Sequence, residues 1–294
     1  CAQCLMYTHT PPVALPTPVD EASGCGLVAR RARDGKMVKV FAYATGSRGG
    51  NSDEIVEMGL LKEAGAVAFT DGRRAVVAFS NDIVEDARRR DFTMNALYAT
   101  PQGIVVDPLG GLTDLKARRL RFIEDASRRI QEDFLRSLRF FRFSAMYSDP
   151  EVGFDPTALA AIAANLEGLS SLSGERVGSE MKKLLAAPDP APALAGMRAT
   201  GVLLQLLPAA DDRALAPLVH LEVAQGVRAD PIRRLAALTT GQEVIMALRL
   251  SKAEAWRHAQ IGAALGNMQG PAELAYRGGA AFALDVCLLR AALF

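Results

Sequence analysis

Between Ile130 and about Tyr147 the chain repeats apolar residues at helical spacing. At 100° per residue, Ile130, Phe134, Leu138, Phe141 and Ala145 fall within roughly 80° of one another. The spacing predicts one continuous amphipathic helix whose striped face belongs to a core. On its other side Asp133, Arg136, Arg139 and Arg142 recur every three residues, drifting by about 60° per step into a shallow spiral of one carboxylate and three guanidiniums. A carboxylate accepts from an exocyclic amine while a guanidinium a turn away donates to a ring nitrogen or carbonyl. One Asp and one Arg can therefore grip a base edge, and the remaining arginines suit phosphates. The alternative is Asp/Arg pairing on a solvated helix, worth only about a few tenths of a kcal/mol. Phe140 and Phe143 project on the charged side, where they need a neighbour to pack on or a base to stack on.

The preceding stretch has the same chemistry. From Arg73 to Arg142 there are 14 Lys+Arg against 10 Asp+Glu, a local excess of four in a chain whose net charge is only +1. Arg88, Arg89 and Arg90 are consecutive, and forked donors of this kind match phosphate oxygens. A charged helix end with Asp86 and Asp91 as partners is the competing reading. A short strand then breaks at Asp107-Pro108 and Gly110-Gly111, more readily a tight turn than a ligand cradle, before a helix that Thr113 or Asp114 could cap.

On either side the composition differs. Leu27 to Arg33 and Glu54 to Glu63 are predicted helices, and Met37 to Tyr43 and Ala66 to Phe69 predicted strands. The expected fold class is an α/β N-terminal fragment, parallel strands with helices, followed by a mostly α-helical remainder. From Phe154 onward the text is Ala/Leu-rich, with helices predicted over Ala158 to Leu166, Glu175 to Ala187, Pro192 to Leu207 and Pro231 to Leu238. Half the residues are apolar and 23% charged, which excludes a disordered chain. Four cysteines in 294 residues are too sparse for a disulfide scaffold. With no secretory signal or 18-residue apolar run, a cytoplasmic, reducing setting and no membrane are expected. Cys1-x-x-Cys4 has no second pair, so free thiols are expected instead of a metal site. Because the chain starts at Cys1 and not Met, it is read as a fragment or processed piece.

Arg89-Arg90-Asp91-Phe92-Thr93-Met94-Asn95-Ala96, Asp107-Pro108-Leu109-Gly110-Gly111 and the run from Glu132 through Asp133, Phe134, Leu135, Arg136, Arg139 and Arg142 to Phe143 resemble successive motifs of the class II CCA-adding tRNA nucleotidyltransferases and their poly(A) polymerase relatives. The likeness extends from about Thr70 to the end, including Gly174-Glu175-Arg176 and Thr200-Gly201-Val202. The resemblance implies a remnant of the family's head over 73–123 and a tRNA-binding helical neck and body over 124–294. It implies that Asp133 and Arg136 select CTP or ATP and that Arg90, Arg139 and Arg142 contact the incoming nucleotide, with Asp91, Asn95 and Glu132 in support. It further implies C and A addition to the tRNA 3′ end, the tRNA acceptor end as partner, and Mg²⁺ as cofactor. Thr70 to Phe79 is similar to the family's mobile loop.

The family holds its metal ions on an Asp-x-Asp pair, and no two aspartates in this chain are separated by one residue. No catalytic residue or metal ligand is therefore assigned, and activity is in doubt. In their place, Glu57 to Gly72 and Arg30-Arg31-Ala32-Arg33-Asp34 resemble bacterial dihydroorotase, a zinc amidohydrolase, over residues 1 to about 76, giving an expected first domain at 1–72. Thr70 to Val76 suits both families, which suggests a fusion there, by gene rearrangement or in sequence assembly, with a divergent natural N-domain as the alternative; an uninterrupted reading frame in one DNA molecule across codons 60 to 85 would remove the assembly explanation. A non-catalytic RNA-binding module and a dihydroorotase-like fragment are the other readings. Phe282 to Phe294 forms an apolar, helix-like end shorter than the family's usual tail, and oligomeric state is left open.

Overall fold

In a computed structural model the chain divides into two compact units, Cys1–Asn81 and Asp82–Phe294. The structure describes the backbone at 5–6, 40–44 and 66–69, and both backbone and side chains at 83–99 and 104–293. In the first unit β1 (Leu5–Met6) pairs antiparallel with β2 (Val40–Ala44), and β2 runs parallel to β3 (Ala66–Phe69) with an irregularity between Ala42 and Tyr43. The helices expected over Leu27 to Arg33 and Glu54 to Glu63, the loop expected at Thr70 to Phe79 and the Cys1-x-x-Cys4 pair lie outside the described residues.

The second unit is mostly helical. It opens with α1 (Ile83–Arg88), a 3-10 turn (Thr93–Asn95) and a two-stranded antiparallel sheet of β4 (Tyr98–Ala99) and β5 (Val105–Val106). Gly110, at φ +72°, turns the chain into α2 (Gly111–Lys116). The cap there is Asp107, whose two carboxylate oxygens accept from the Gly111 and Leu112 amides at 2.8 and 2.9 Å. Thr113 and Asp114, the expected caps, lie inside the helix because the chain becomes helical directly after the glycine turn. A Cβ on Gly111 would sit 2.0 Å from the Thr93 carbonyl oxygen, so α2 packs this closely on the 3-10 turn only with glycine there.

The continuous helix expected over Ile130 to Tyr147 is instead two: α3 (Ala126–Glu132) and α4 (Leu135–Tyr147). Asp133 between them is extended, at φ −157° and ψ 104°, and its Oδ1 accepts from the Leu135 amide at 3.1 Å. A short acidic side chain can take over the hydrogen bond that a helix would otherwise make, which the apolar period does not register. The stripe still forms, with Ile130, Leu138 and Phe141 buried and Phe134 and Ala145 packed at the core's edge. Phe140 is fully buried among Phe92, Phe122, Phe141 and Phe154, ring centroids 5.5 to 6.2 Å apart.

The body continues as α5 (Pro156–Ala164), α6 (Gly174–Leu185), α7 (Ala191–Ala199), α8 (Val202–Leu206), α9 (Leu215–Ala224), α10 (Pro231–Leu238), α11 (Glu243–Ala247), α12 (Lys252–Leu265) and α13 (Pro271–Leu293), the last interrupted at Gly279. The single helix expected over Pro192 to Leu207 divides at Gly201, whose φ of +83° ends α7. Asp155, Ser173, Asp230 and Ser251 cap α5, α6, α10 and α12. Among the described residues no helix is long and apolar enough to cross a membrane.

Buried charges join α6, α9, α10 and α13. The Arg234 guanidinium reaches Glu222 on α9 and the Leu185, Ala187 and Pro188 carbonyls that end α6, while Arg233 joins Glu222 to Asp285. Nearby, His258 is 1% exposed, with Nε2 at 2.8 Å from the Thr239 carbonyl and no partner on Nδ1. Burial lowers its pKa below the usual imidazole value. The unfolded chain therefore takes up a proton that the folded one resists, so this stability is intact above about pH 6.5 and declines as pH falls below it. The melting temperature is expected to fall between about pH 7 and about pH 5, and to fall less in His258→Gln. Equal slopes for the two proteins would remove His258 as the cause.

Candidate nucleotide pocket

Asp91 ties together the segment after α1. Its carboxylate is 5% exposed; Oδ1 accepts from the Phe92 amide at 3.0 Å and Asn95 Nδ2 at 2.8 Å, and Oδ2 from Arg139 Nε at 2.5 Å. Its backbone is pinned as well, since the Ile123 amide donates to its carbonyl and Phe92 pairs with Phe122. Arg139 is thereby drawn from α4 onto the arginine segment.

Two guanidiniums brace the other end of that segment. Arg129, buried, donates to the Arg88 carbonyl and to Glu132; Arg136 donates to the Arg89 carbonyl at 3.0 Å, the Arg129 carbonyl at 2.9 Å and Glu132 at 2.7 Å. The carbonyls left unpaired where α1 ends are thus satisfied by side chains of α3 and α4. Of the three consecutive arginines, Arg88 pairs with Glu124, Arg89 with Glu85 and Arg90 with Asp86. Arg90 also donates to the Tyr98 hydroxyl and lies 4.9 Å from its ring centroid.

These groups surround a pocket of about 280 Å³ lined by Arg90, Asp91, Asn95, Asp133, Leu135, Arg136, Arg139 and Arg176. Four guanidiniums face two carboxylates there, the balance expected for an anionic ligand. Arg90, Asp133, Arg136 and Arg139, with Asp91 and Asn95, come together as neighbours around one space. Glu132 sits beside it as a partner of Arg136. Arg142 does not line it: its Nε is bound to the nearly buried Glu180 of α6 at 2.6 Å, and its guanidinium lies 4.3 Å from the Phe143 ring centroid. Three residues per step carries an arginine row around a helix, so its last member turns away from the first. The lining gains Arg176, whose Nη2 donates to Asp133 Oδ2 at 2.6 Å. Its only sequence signal was Gly174-Glu175-Arg176.

The residues lining this pocket do not fit Mg²⁺. Each pocket carboxylate already accepts from a guanidinium, no Asp-x-Asp exists in the sequence, and among the described residues no group of three or more His, Cys, Asp or Glu could hold a metal ion. Beside the pocket, burial would raise Asp114, but hydrogen bonds from Arg121, Thr93 and Arg119 outweigh it and hold its carboxyl below the usual range. It stays an anion and braces the segment from below.

Residues 51–121 match the family described as "Poly A polymerase head domain", and 153–213 the family described as "Probable RNA and SrmB- binding site of polymerase A". "CCA tRNA nucleotidyltransferase 1, mitochondrial" of Homo sapiens is 47% identical over 116 residues, 40% of this chain and 27% of that protein. Its relatives are CCA-adding tRNA nucleotidyltransferases. The "CCA-adding enzyme" of Levilactobacillus brevis is 35% identical over 163 residues, 55% of this chain and 40% of its own. The structure entitled "Crystal structure of Bacillus stearothermophilus CCA-adding enzyme in complex with CTP" superposes with a TM-score of 0.54 at 28% identity, covering 73% of this chain and 56% of that one. The chain thus spans less than half the length of either curated CCA-adding relative. The comparisons give the dihydroorotase likeness no support, and the head-domain match from residue 51 takes in the Glu57 to Gly72 segment on which it rested.

Replacing Asp91 by Ala removes three hydrogen bonds from a buried carboxylate and leaves Arg139 without its partner. Urea denaturation is expected to show a loss of about 2–3 kcal/mol, with Asp91→Asn losing less because it keeps an acceptor. An alanine variant as stable as the wild type would show that Asp91 ties nothing.

Proposed function

We propose that this chain carries the nucleotide-selecting and RNA-binding part of a CCA-adding tRNA nucleotidyltransferase, taking CTP and ATP in the pocket and the tRNA acceptor end on the helical body. The observation that carries the reading is the concentration of Arg90, Arg136, Arg139 and Arg176 around Asp133 in one space. Asp133 would accept from the amine shared by cytosine and adenine, and Arg136 would donate to the neighbouring ring atom. Arg90 and Arg139 would hold the triphosphate, with Asp91 and Asn95 keeping them in place. Arg142 would act one step back, as a brace to Glu180. In this scheme 73–123 belongs to the head and 124–294 to neck and body. A reducing, cytoplasmic compartment suits the free, half-buried thiol of Cys287.

Because the carboxylates do not fit Mg²⁺, the reading stops at binding and selection, and no transfer step is assigned to these residues. The same observation favours a second reading, an RNA-binding module without catalysis. Incubation with tRNA lacking its 3′ end, labelled CTP or ATP and Mg²⁺ separates them: addition supports the enzyme, and tRNA binding without addition supports the module.

Arg136→Ala is expected to weaken CTP and ATP binding by about 1–3 kcal/mol in calorimetry, the scale of one bidentate base contact. Since Arg136 also holds two backbone carbonyls, melting temperature is read in parallel, and Asp133→Ala supplies a second measure. Asp133→Ala should alter the choice among nucleotides more than total affinity. Unchanged binding in both variants would reduce this row to surface charge.

A further inference from the structure

Arg176 enters the pocket from α6, 43 residues from the carboxylate that it meets. Ser173 caps α6 at the Arg176 amide, so its backbone is fixed where the helix begins. Asp133 is held at both oxygens: Oδ1 accepts from the Leu135 amide at 3.1 Å, and Oδ2 from Arg176 Nη2 at 2.6 Å. One restraint is local and the other reaches in from a separate helix. The two side chains are 49% and 33% exposed, and ion pairs this open contribute little to folding. The contact must be accounted for in another way.

A carboxylate discriminates amine from carbonyl only when its lone pairs have a fixed direction, because a rotating one accepts wherever a donor happens to lie. It also carries a negative charge into a space that a triphosphate must share, and an adjacent cation offsets that repulsion. Arg176 meets both requirements. We propose that Arg176 is a specificity-determining positioning residue, fixing the Asp133 carboxylate so that the pocket prefers cytosine and adenine, which carry an amine at C4 or C6, over uracil and guanine, which carry a carbonyl at that position. The inference rests on the nucleotide reading of the pocket given above.

Calorimetric titration of the full chain with CTP, ATP, UTP and GTP tests it. The wild type is expected to prefer CTP and ATP. In Arg176→Ala that preference should fall by about 10- to 100-fold, the scale of one charge-assisted hydrogen bond, chiefly through weaker CTP and ATP. Arg176→Lys keeps the charge but not the planar fork and should lose part of the preference. An undiminished preference in the alanine variant, or equal weakening of all four nucleotides, overturns the proposal. Should the alanine variant not fold, an undiminished preference in the lysine variant overturns it instead. A wild type that binds none of the four, or all alike, sinks the pocket reading itself and not Arg176 alone.

Discussion

The break at Asp133 is the constraint on which the pocket depends. A helix running unbroken from Ala126 to Tyr147 would keep that carboxylate on a helix surface, one more member of a charged row. With the backbone extended there, Oδ1 turns onto the Leu135 amide and starts α4, while Oδ2 is left to meet Arg176 across the space. The break also lets α3 and α4 approach the end of α1 separately. Arg129 from one and Arg136 from the other reach adjacent carbonyls, those of Arg88 and Arg89. The arginine segment is therefore fastened at its helix end by two guanidiniums and at its far end by Asp91, and the pocket lies between these fastenings.

Beneath that polar layer an aromatic cluster does the packing. Phe92 lies beside Asp91 in sequence and packs, tilted, among Phe122, Phe140 and Phe143, so the residue that tethers Arg139 is itself anchored in the core. Farther along, Arg233 and Arg234 bury their guanidiniums with Glu222 and Asp285. Taking these charges out of water costs more than their attraction alone returns, and what offsets the remainder is full hydrogen bonding. Arg234 uses the carbonyls that end α6, which a helix terminus leaves unpaired in any case. The network thus fixes α6 against α9 and α10, and α6 is the helix that presents Arg176 at its other end.

What the sequence made legible follows from which forces are periodic. Apolar spacing located the striped face of Ile130, Leu138 and Phe141 and most of the body helices, because burial repeats with the helix. It missed the break at Asp133 and the division at Gly201, where one residue overrides its neighbours through a side-chain hydrogen bond or a positive φ. Charge spacing was a weaker guide. Asp133, Arg136 and Arg139 do share a space, but Arg142, one step farther round, finds Glu180, and Phe140 is fully buried in the core. Arg176 was invisible as a lining residue since no periodicity links it to Asp133; only the fold brings together residues 43 apart.

The two kinds of charge in the second unit point to different tasks. Inside the body, cations and anions are matched and sealed, so they specify one arrangement of helices and have nothing left for a ligand. Around the pocket each guanidinium also has a carboxylate partner, Arg90 in Asp86, Arg136 in Glu132, Arg139 in Asp91 and Arg176 in Asp133, but these pairs are more open, with the arginines 15% to 49% exposed, so water or an anion can reach them. The carboxylates there are already held by arginine, which suits orienting a neutral base and is the wrong preparation for gathering a divalent cation. Orienting a neutral base and gathering metal ions for nucleotidyl transfer thus require opposite electrostatic surroundings. In this chain α3, α4 and α6 build arginine-rich surroundings, with the acid at their centre bound to a cation of its own.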